Sequence, residues 1–258
     1  MIELELHEGQ DTALVTLNHP ERRNALSMAV VEELATCITE LDGRSDIRAI
    51  VLTGADPAFC AGFDLKALST EDRGAQEARR SDPMVMAGLL PERATPIIGA
   101  VNGAAVTGGL ELALSCDFLI GSEHARFADT HARVGLMPGA GLTIRLPERV
   151  GTARALQMST TGDFIDAERA LRWGLLNEVV PHDALLGRAL EIAAAIASIP
   201  PANVAEIRSM YARFAGSADI EDYERENAWA RRWMADRVDQ ARLATSKDTI
   251  IERGRTSQ

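Results

Sequence analysis

Isolated polar side chains set among glycines and small apolar residues are where this chain could do chemistry. Glu111 stands in the run VNGAAVTGGLELA at 101–113 as a lone carboxylate where apolar text turns helical. A glutamate so placed is either an ordinary acidic charge near a helix N-terminus or a desolvated acid/base group. The stretch 59–65, Phe59-Cys60-Ala61-Gly62-Phe63-Asp64-Leu65, leaves a strand for a helix start. Backbone amides at such a turn can face an anion or a polarised carbonyl. Segment 127–135 brings Asp129, His131 and Arg133 together, and Met137-Pro138-Gly139-Ala140-Gly141 forms a glycine-rich loop. Cys37, Cys60 and Cys116 lie far apart with no C-x-x-C pair, and no two histidines stand at i, i+4, so the chain is expected to hold no metal.

The elements that must position these groups alternate between strand and helix. Ile2, Leu4 and Leu6 alternate with polar residues, a second β-type run covers 13–17, and 7–10 makes the hairpin between them. Ser27 offers an N-cap, Val30, Leu34, Cys37, Ile38 and Leu41 recur at helical spacing, and Gly43 is a stop signal. A buried strand is expected over 47–52, another over 96–101, a short helix over 108–115 and a further strand over 118–121. That order makes the chain α/β. Between the units, 69–83 is polar and charged and reads as a mobile surface segment. From 166 the pattern is mostly helical, with helices expected over 184–199, 202–214 and 220–235. Trp229 and Trp233, at i, i+4, are expected to pack in the core or at a subunit interface. A core over 1–199 and a helical lobe over 200–258 follow as the domain division.

Composition narrows the function classes. The chain has 258 residues, 46% of them hydrophobic and 25% charged, which suits an ordinary globule rather than a disordered or fibrous chain. A net charge of −11 works against a nucleic-acid or anionic lipid partner, both of which attract basic stripes. The N-terminus has neither a basic n-region nor a continuous apolar run, so a cytoplasmic location is expected. The longest uncharged stretch, 94–110, is broken by Pro96, Asn102 and several glycines, and no membrane span is expected.

Taken in order, five pieces resemble the crotonase superfamily, the enoyl-CoA hydratase/isomerase family. They are NHPERRNAL at 18–26, CAGFDL at 60–65, VNGAAVTGGLELALSCD at 101–117, PGAG at 138–141 and ALRWGLLNEVV at 170–180. The resemblance covers nearly the whole chain. It implies a crotonase (ClpP-like) fold of repeated ββα units in two sheets, with a helical C-terminal region that forms a homotrimer, alone or paired into a hexamer. It also implies an acyl-CoA substrate whose thioester oxygen is clasped by two backbone amides, so that an enolate is stabilised without a charged side chain. Matched motif to motif, the oxyanion-hole donors are Phe63 and Gly108.

The same matching implies catalytic Glu111 at the first glutamate of the hydratases, while His131 takes the place of the second. An imidazole there can orient the water, act as a second acid/base, or simply wall the pocket. Asp129 is expected to be a surface or helix-cap residue. Glu21, Arg22, Arg23, Ala61, Asp64, Leu65 and Lys66 fall where family members contact the CoA. No cofactor is implied beyond the coenzyme A of the substrate. Position 139, an aspartate in some isomerase and dehalogenase relatives, is glycine here. The leading expectation is an enoyl-CoA hydratase that adds water to trans-2-enoyl-CoA. The alternatives are a double-bond isomerase, a non-catalytic acyl-CoA binder and, remotely, a serine hydrolase built from Ser115, Asp117 and His124, which lacks a G-x-S-x-G elbow.

Overall fold

The structure, a computed structural model, describes residues 1–7, 9–64, 88–214 and 220–237. The expected hairpin pairs β1 (Ile2–His7) antiparallel with β2 (Thr12–Leu17), Ile2 opposite Leu17. The expected first helix is α1 (Met28–Asp42), with Val30, Leu34, Ile38 and Leu41 buried. The Ser27 hydroxyl accepts from the Val30 amide at 3.3 Å and so satisfies one orphan donor of the first turn. β3 (Ala49–Gly54) begins at Ala49 rather than Ile47, because its partner β2 begins at Thr12 and Ala49 lies opposite that residue.

Several further strands, those over Ile165–Asp166 and Glu178–Val180 among them, were hidden from the sequence pattern, each of 2 or 3 residues. β4 (Ala58–Cys60), β6 (Ala104–Val106) and β8 (Arg126–Ala128) have 3 residues each, too few to display alternation. They nonetheless organise the fold. β3, β5 (Ile97–Val101) and β7 (Phe118–Ser122) run parallel in one sheet, and each is followed by a short strand in another. After β6 and β8 the chain enters α2 (Gly108–Leu114) and α3 (His131–Val134), which completes two ββα units. Beyond them come α4 (Leu142–Val150), α5 (Thr152–Thr161), β9 (Ile165–Asp166), α6 (Ala167–Trp173) and β10 (Glu178–Val180). The large sheet has the order β1-β2-β3-β5-β7-β10 and the small one β4-β6-β8-β9.

Both faces of the large sheet are covered, which accounts for strands that read as continuous apolar runs. Ile50, Leu52, Ile97 and Val101 share an apolar cluster with Leu34 and Ile38 of α1. Val51, Ile98, Ala100 and Ile120 point the other way and pack with Leu185, Ala189 and Ala193 of α7 (Leu185–Ala197). α8 (Pro201–Phe214) starts at Pro201, whose fixed φ suits a first helical turn, and α9 (Ile220–Arg237) follows. Trp229 is 70% exposed, whereas the Trp233 indole donates to the Gly135 carbonyl at 3.0 Å, so the expected tryptophan pair is split between two environments. The stretch expected as a polar surface segment, 69–83, lies outside the described residues.

One close approach decides where the site can form. A Cβ built on Gly109 would lie 2.0 Å from the carbonyl oxygen of Cys60, so α2 meets the end of β4 only because position 109 lacks a side chain. Gly109→Ala is expected to lower stability by about 1–3 kcal/mol, the cost of forcing backbone apart in a packed core. A denaturant midpoint equal to that of the parent would contradict this packing.

Candidate active site

Leu26 and Phe63 form an isolated parallel bridge. The Leu26 amide donates to Gly62 O at 2.8 Å and the Asp64 amide donates to Leu26 O at 2.9 Å. A parallel bridge of this kind uses the residues flanking Phe63 and turns the N–H of Phe63 itself to the other side. Gly108 is found there. A Cβ on Gly108 would lie 3.4 Å from Phe63 N and 2.7 Å from the Phe63 ring, and a Cβ on Gly62 would lie 3.2 Å from Gly108 N. The two nitrogens therefore border one small space. Among the described residues neither donates to a backbone carbonyl.

Thr107 aims the second of these amides. It precedes α2 at φ 55°, a conformation a β-branched residue rarely adopts and one that costs about 1–3 kcal/mol. Its amide donates to Ala128 O at 2.9 Å, and its hydroxyl meets that of Thr130. These contacts hold the turn and link it to the start of α3.

Glu111 sits on α2 one turn after Gly108 and is 3% exposed. Its Oε1 accepts from the amides of Ala140 at 2.9 Å and Gly139 at 3.2 Å. Its Oε2 lies 3.8 Å from His131 Nε2. Burial pushes the pKa of this carboxyl up, the charge of His131 opposes the rise, and the charge of Glu226 adds to it. A buried carboxyl tuned upward in this way is suited to taking and returning a proton near neutral pH.

The sequence reading of Asp129 as a surface or cap residue is corrected by its surroundings. It is 1% exposed, and its Oδ1 accepts from the His131 amide at 3.1 Å and lies 2.7 Å from His131 Nδ1. The D-x-H spacing of 129–131, folded into one turn before α3, brings the carboxylate to the ring. Burial works to lower the His131 pKa, but the hydrogen bond to Asp129 and the charges of Glu111, Asp129 and Glu226 outweigh it, so the value is raised. Burial raises the Asp129 pKa, and the bond and charge of His131 overcome that and hold it low. With Nδ1 committed to Asp129, Nε2 is the nitrogen presented to Glu111.

Of the residues expected to contact CoA, Arg22, Arg23, Ala61 and Asp64 gather around the same bridge. The Ala61 amide donates to Arg23 O at 3.0 Å, and Arg22 pairs with Asp64. Glu21 pairs with His19 at 3.1 Å. Leu65 and Lys66 lie outside the described residues. Asn24, which sequence reasoning left without a role, holds this cluster in place. Buried at φ 55°, it donates to Ala55 O and Ala58 O at 2.7 Å and accepts from the His19 amide at 2.9 Å. It thereby ties residues 19–26 to the turn between β3 and β4. The hydrolase trio does not assemble: Ser115 donates to Glu111 O, Asp117 pairs with Arg93 and Arg208, and His124 stacks on His182. Among the described residues no group of His, Cys, Asp and Glu is set to hold a metal ion.

Short strands that feed a second sheet, and a helix whose first turn lies against the end of β4, place the protein in the crotonase superfamily. The model of the family described as enoyl-CoA hydratase/isomerase matches residues 7–243, and the chain belongs to that family. It is 36% identical over 203 residues to an Arabidopsis thaliana protein named as a probable peroxisomal enoyl-CoA hydratase, covering 79% of this chain and 76% of the relative. It is 40% identical over 204 residues to the (E)-benzylidenesuccinyl-CoA hydratase of Thauera aromatica, covering 77% of this chain and 78% of the relative. Among solved structures, the enoyl-CoA hydratase of Mycobacterium tuberculosis H37Rv superposes with a TM-score of 0.81 at 42% identity, covering 91% of this chain and 99% of that one.

The Asp129–His131 pair makes a direct prediction. Removing the carboxylate charge with Asp129→Asn should lower the His131 pKa, since a neighbouring opposite charge favours the protonated ring. An NMR titration of the imidazole reads this, and an unchanged midpoint would contradict the pairing.

Proposed function

We propose that the protein is an enoyl-CoA hydratase in which Glu111 moves the proton of the attacking water and the amides of Phe63 and Gly108 hold the thioester oxygen. The observation that carries this reading is the buried Glu111 carboxylate, with one oxygen tied to two amides and the other turned toward His131. Tying Oε1 to main-chain donors fixes the carboxylate and leaves Oε2 as its working atom.

The chemistry follows from charge. Water attacks the β-carbon of a trans-2-enoyl thioester as Glu111 takes its proton. The electron pair of the double bond moves toward the thioester oxygen. Two amide hydrogens directed at that oxygen stabilise the enolate, and such donors cost no reorganisation at the moment of reaction. His131 in its protonated form, hydrogen-bonded to Asp129, donates a proton to the α-carbon. The proton on Glu111 then passes to His131, which restores both groups, so one water is added and no net proton is consumed. Phe63, whose ring lies against Gly108, is the side chain placed to shape the acyl pocket beside this hole.

A homotrimer, alone or paired into a hexamer, is supported by Ile207, Met210 and Tyr211, exposed at i, i+3, i+4 on α8, and by exposed Trp229 on α9. The substrate brings its own coenzyme A, and no further cofactor is part of the reading. A cytoplasmic location is supported by the three free cysteines.

Glu111→Gln is expected to lower kcat by about a hundredfold or more with little change in KM, because it removes a group used in the transition state. Product analysis with 2-enoyl, 3-enoyl and 3-hydroxyacyl thioesters decides the reaction. Hydration of the 2-enoyl substrate supports the hydratase. Conversion of 3-enoyl thioester without hydration would make the protein an isomerase, and tight binding without turnover, unaffected by Glu111→Gln, would make it an acyl-CoA binder.

A further inference from the structure

The N-cap of α4 is Gly141, a residue with no side chain to cap the helix, at φ 91°. Its open N-terminus is closed by another helix. Glu226 of α9 accepts from the amides of Gly141 and Thr143 and from the Thr143 hydroxyl. A carboxylate on the orphan donors of a first turn is a charge-assisted cap. The next residue, Asn227, donates from Nδ2 to Gly139 O at 3.0 Å. Ala230 closes on the same place, lying 3.2 Å from a Cβ built on Gly139, and Tyr223 would meet a Cβ on Gly141 at 2.7 Å. Tyr223, Glu226, Asn227 and Ala230 are spaced i, i+3, i+4, i+7 and so form one face of α9.

That face grips the segment on which Glu111 depends. Gly139 and Ala140 offer their amides to Glu111 Oε1, while Gly139 offers its carbonyl to Asn227 and Gly141 its amide to Glu226. The same short run of peptide units is thus held from one side by α9 and holds the carboxylate on the other. Stability alone accounts poorly for Asn227. Its Oδ1 is buried with no partner among the described residues, an arrangement that costs more than an apolar side chain would. The bond to Gly139 O is what this amide gives in return.

We infer that Glu226 and Asn227 are positioning residues for the acid/base reaction: α9 orients the Gly139–Gly141 peptides and, through them, the Glu111 carboxylate. The inference rests on Glu111 being the base. Charge gives it a second readout. The charged groups around Glu111 are His131 on α3, Asp129 just before it, and Glu226 on α9. Removing the Glu226 charge relieves part of the upward push on Glu111, which then loses its proton at lower pH.

The test is a set of full-length variants assayed with the hydratase substrate. Asn227→Ala is expected to lower kcat about tenfold while KM stays within about threefold, the pattern of an interaction used in the transition state. Glu226→Gln is expected to move the acid limb of the kcat/KM profile to lower pH, which a purely structural cap would not do. In a Glu111→Gln background Asn227→Ala should cost nothing further, because its effect runs through the carboxylate already removed. Parent-like kcat for Asn227→Ala beside a crippled Glu111→Gln would overturn the positioning role alone, as would full additivity of the two losses or an acid limb that stays in place. Parent-like turnover in Glu111→Gln would instead overturn the base assignment, and this inference with it.

Discussion

The contact between the first turn of α2 and the end of β4 is the constraint on which the remaining geometry depends. Gly109 lets the helix backbone reach the Cys60 carbonyl, and that approach brings the amide of Gly108 beside the amide of Phe63. Because Glu111 follows Gly108 by one turn of the same helix, the distance between main-chain donor and carboxylate is set by α-helical pitch. A site built this way has few adjustable parts. The bridge between Leu26 and Phe63 orients one donor through backbone hydrogen bonds, and the unusual φ of Thr107, held by its amide and its hydroxyl, orients the other.

Electrostatics complete what packing begins. Three titratable groups, Glu111, His131 and Asp129, are buried next to one another, and burial alone would strip the charge from each. Their contacts sort them instead: the bond and charge of His131 hold the Asp129 pKa low, the two carboxylates raise that of His131, and at Glu111 burial outweighs the opposing charge of His131, so its pKa rises. The pairing at 2.7 Å between Asp129 and Nδ1 also fixes which ring nitrogen faces the carboxylate. An imidazole in place of a second carboxylate thus has a supporting partner on the same turn.

Much of this was legible in the residues themselves, and the exceptions have physical causes. α1, β2, β3, β5 and α7 have long periodic or fully apolar patterns, and the sequence places them to within a few residues. β4, β6 and β8 escape because a strand of 3 residues has no period to read, although they make up most of the small sheet. Glu111 stands out as a lone acid in apolar text. Asp129 does not, since an aspartate two residues before a histidine reads as a cap until burial is known. Glu226 and Asn227 sit in the charged text of α9, where acidic residues are usually solvated, and only the tertiary fold brings them to Gly139 and Gly141.

A crystal structure of the full-length protein with an unreactive acyl-CoA thioester bound tests the central claim most directly. The thioester oxygen is expected at about 3 Å from both Phe63 N and Gly108 N, with the β-carbon of the acyl chain facing Glu111 Oε2. An oxygen held by only one of those amides or by neither, or an acyl chain directed away from Glu111, would contradict it.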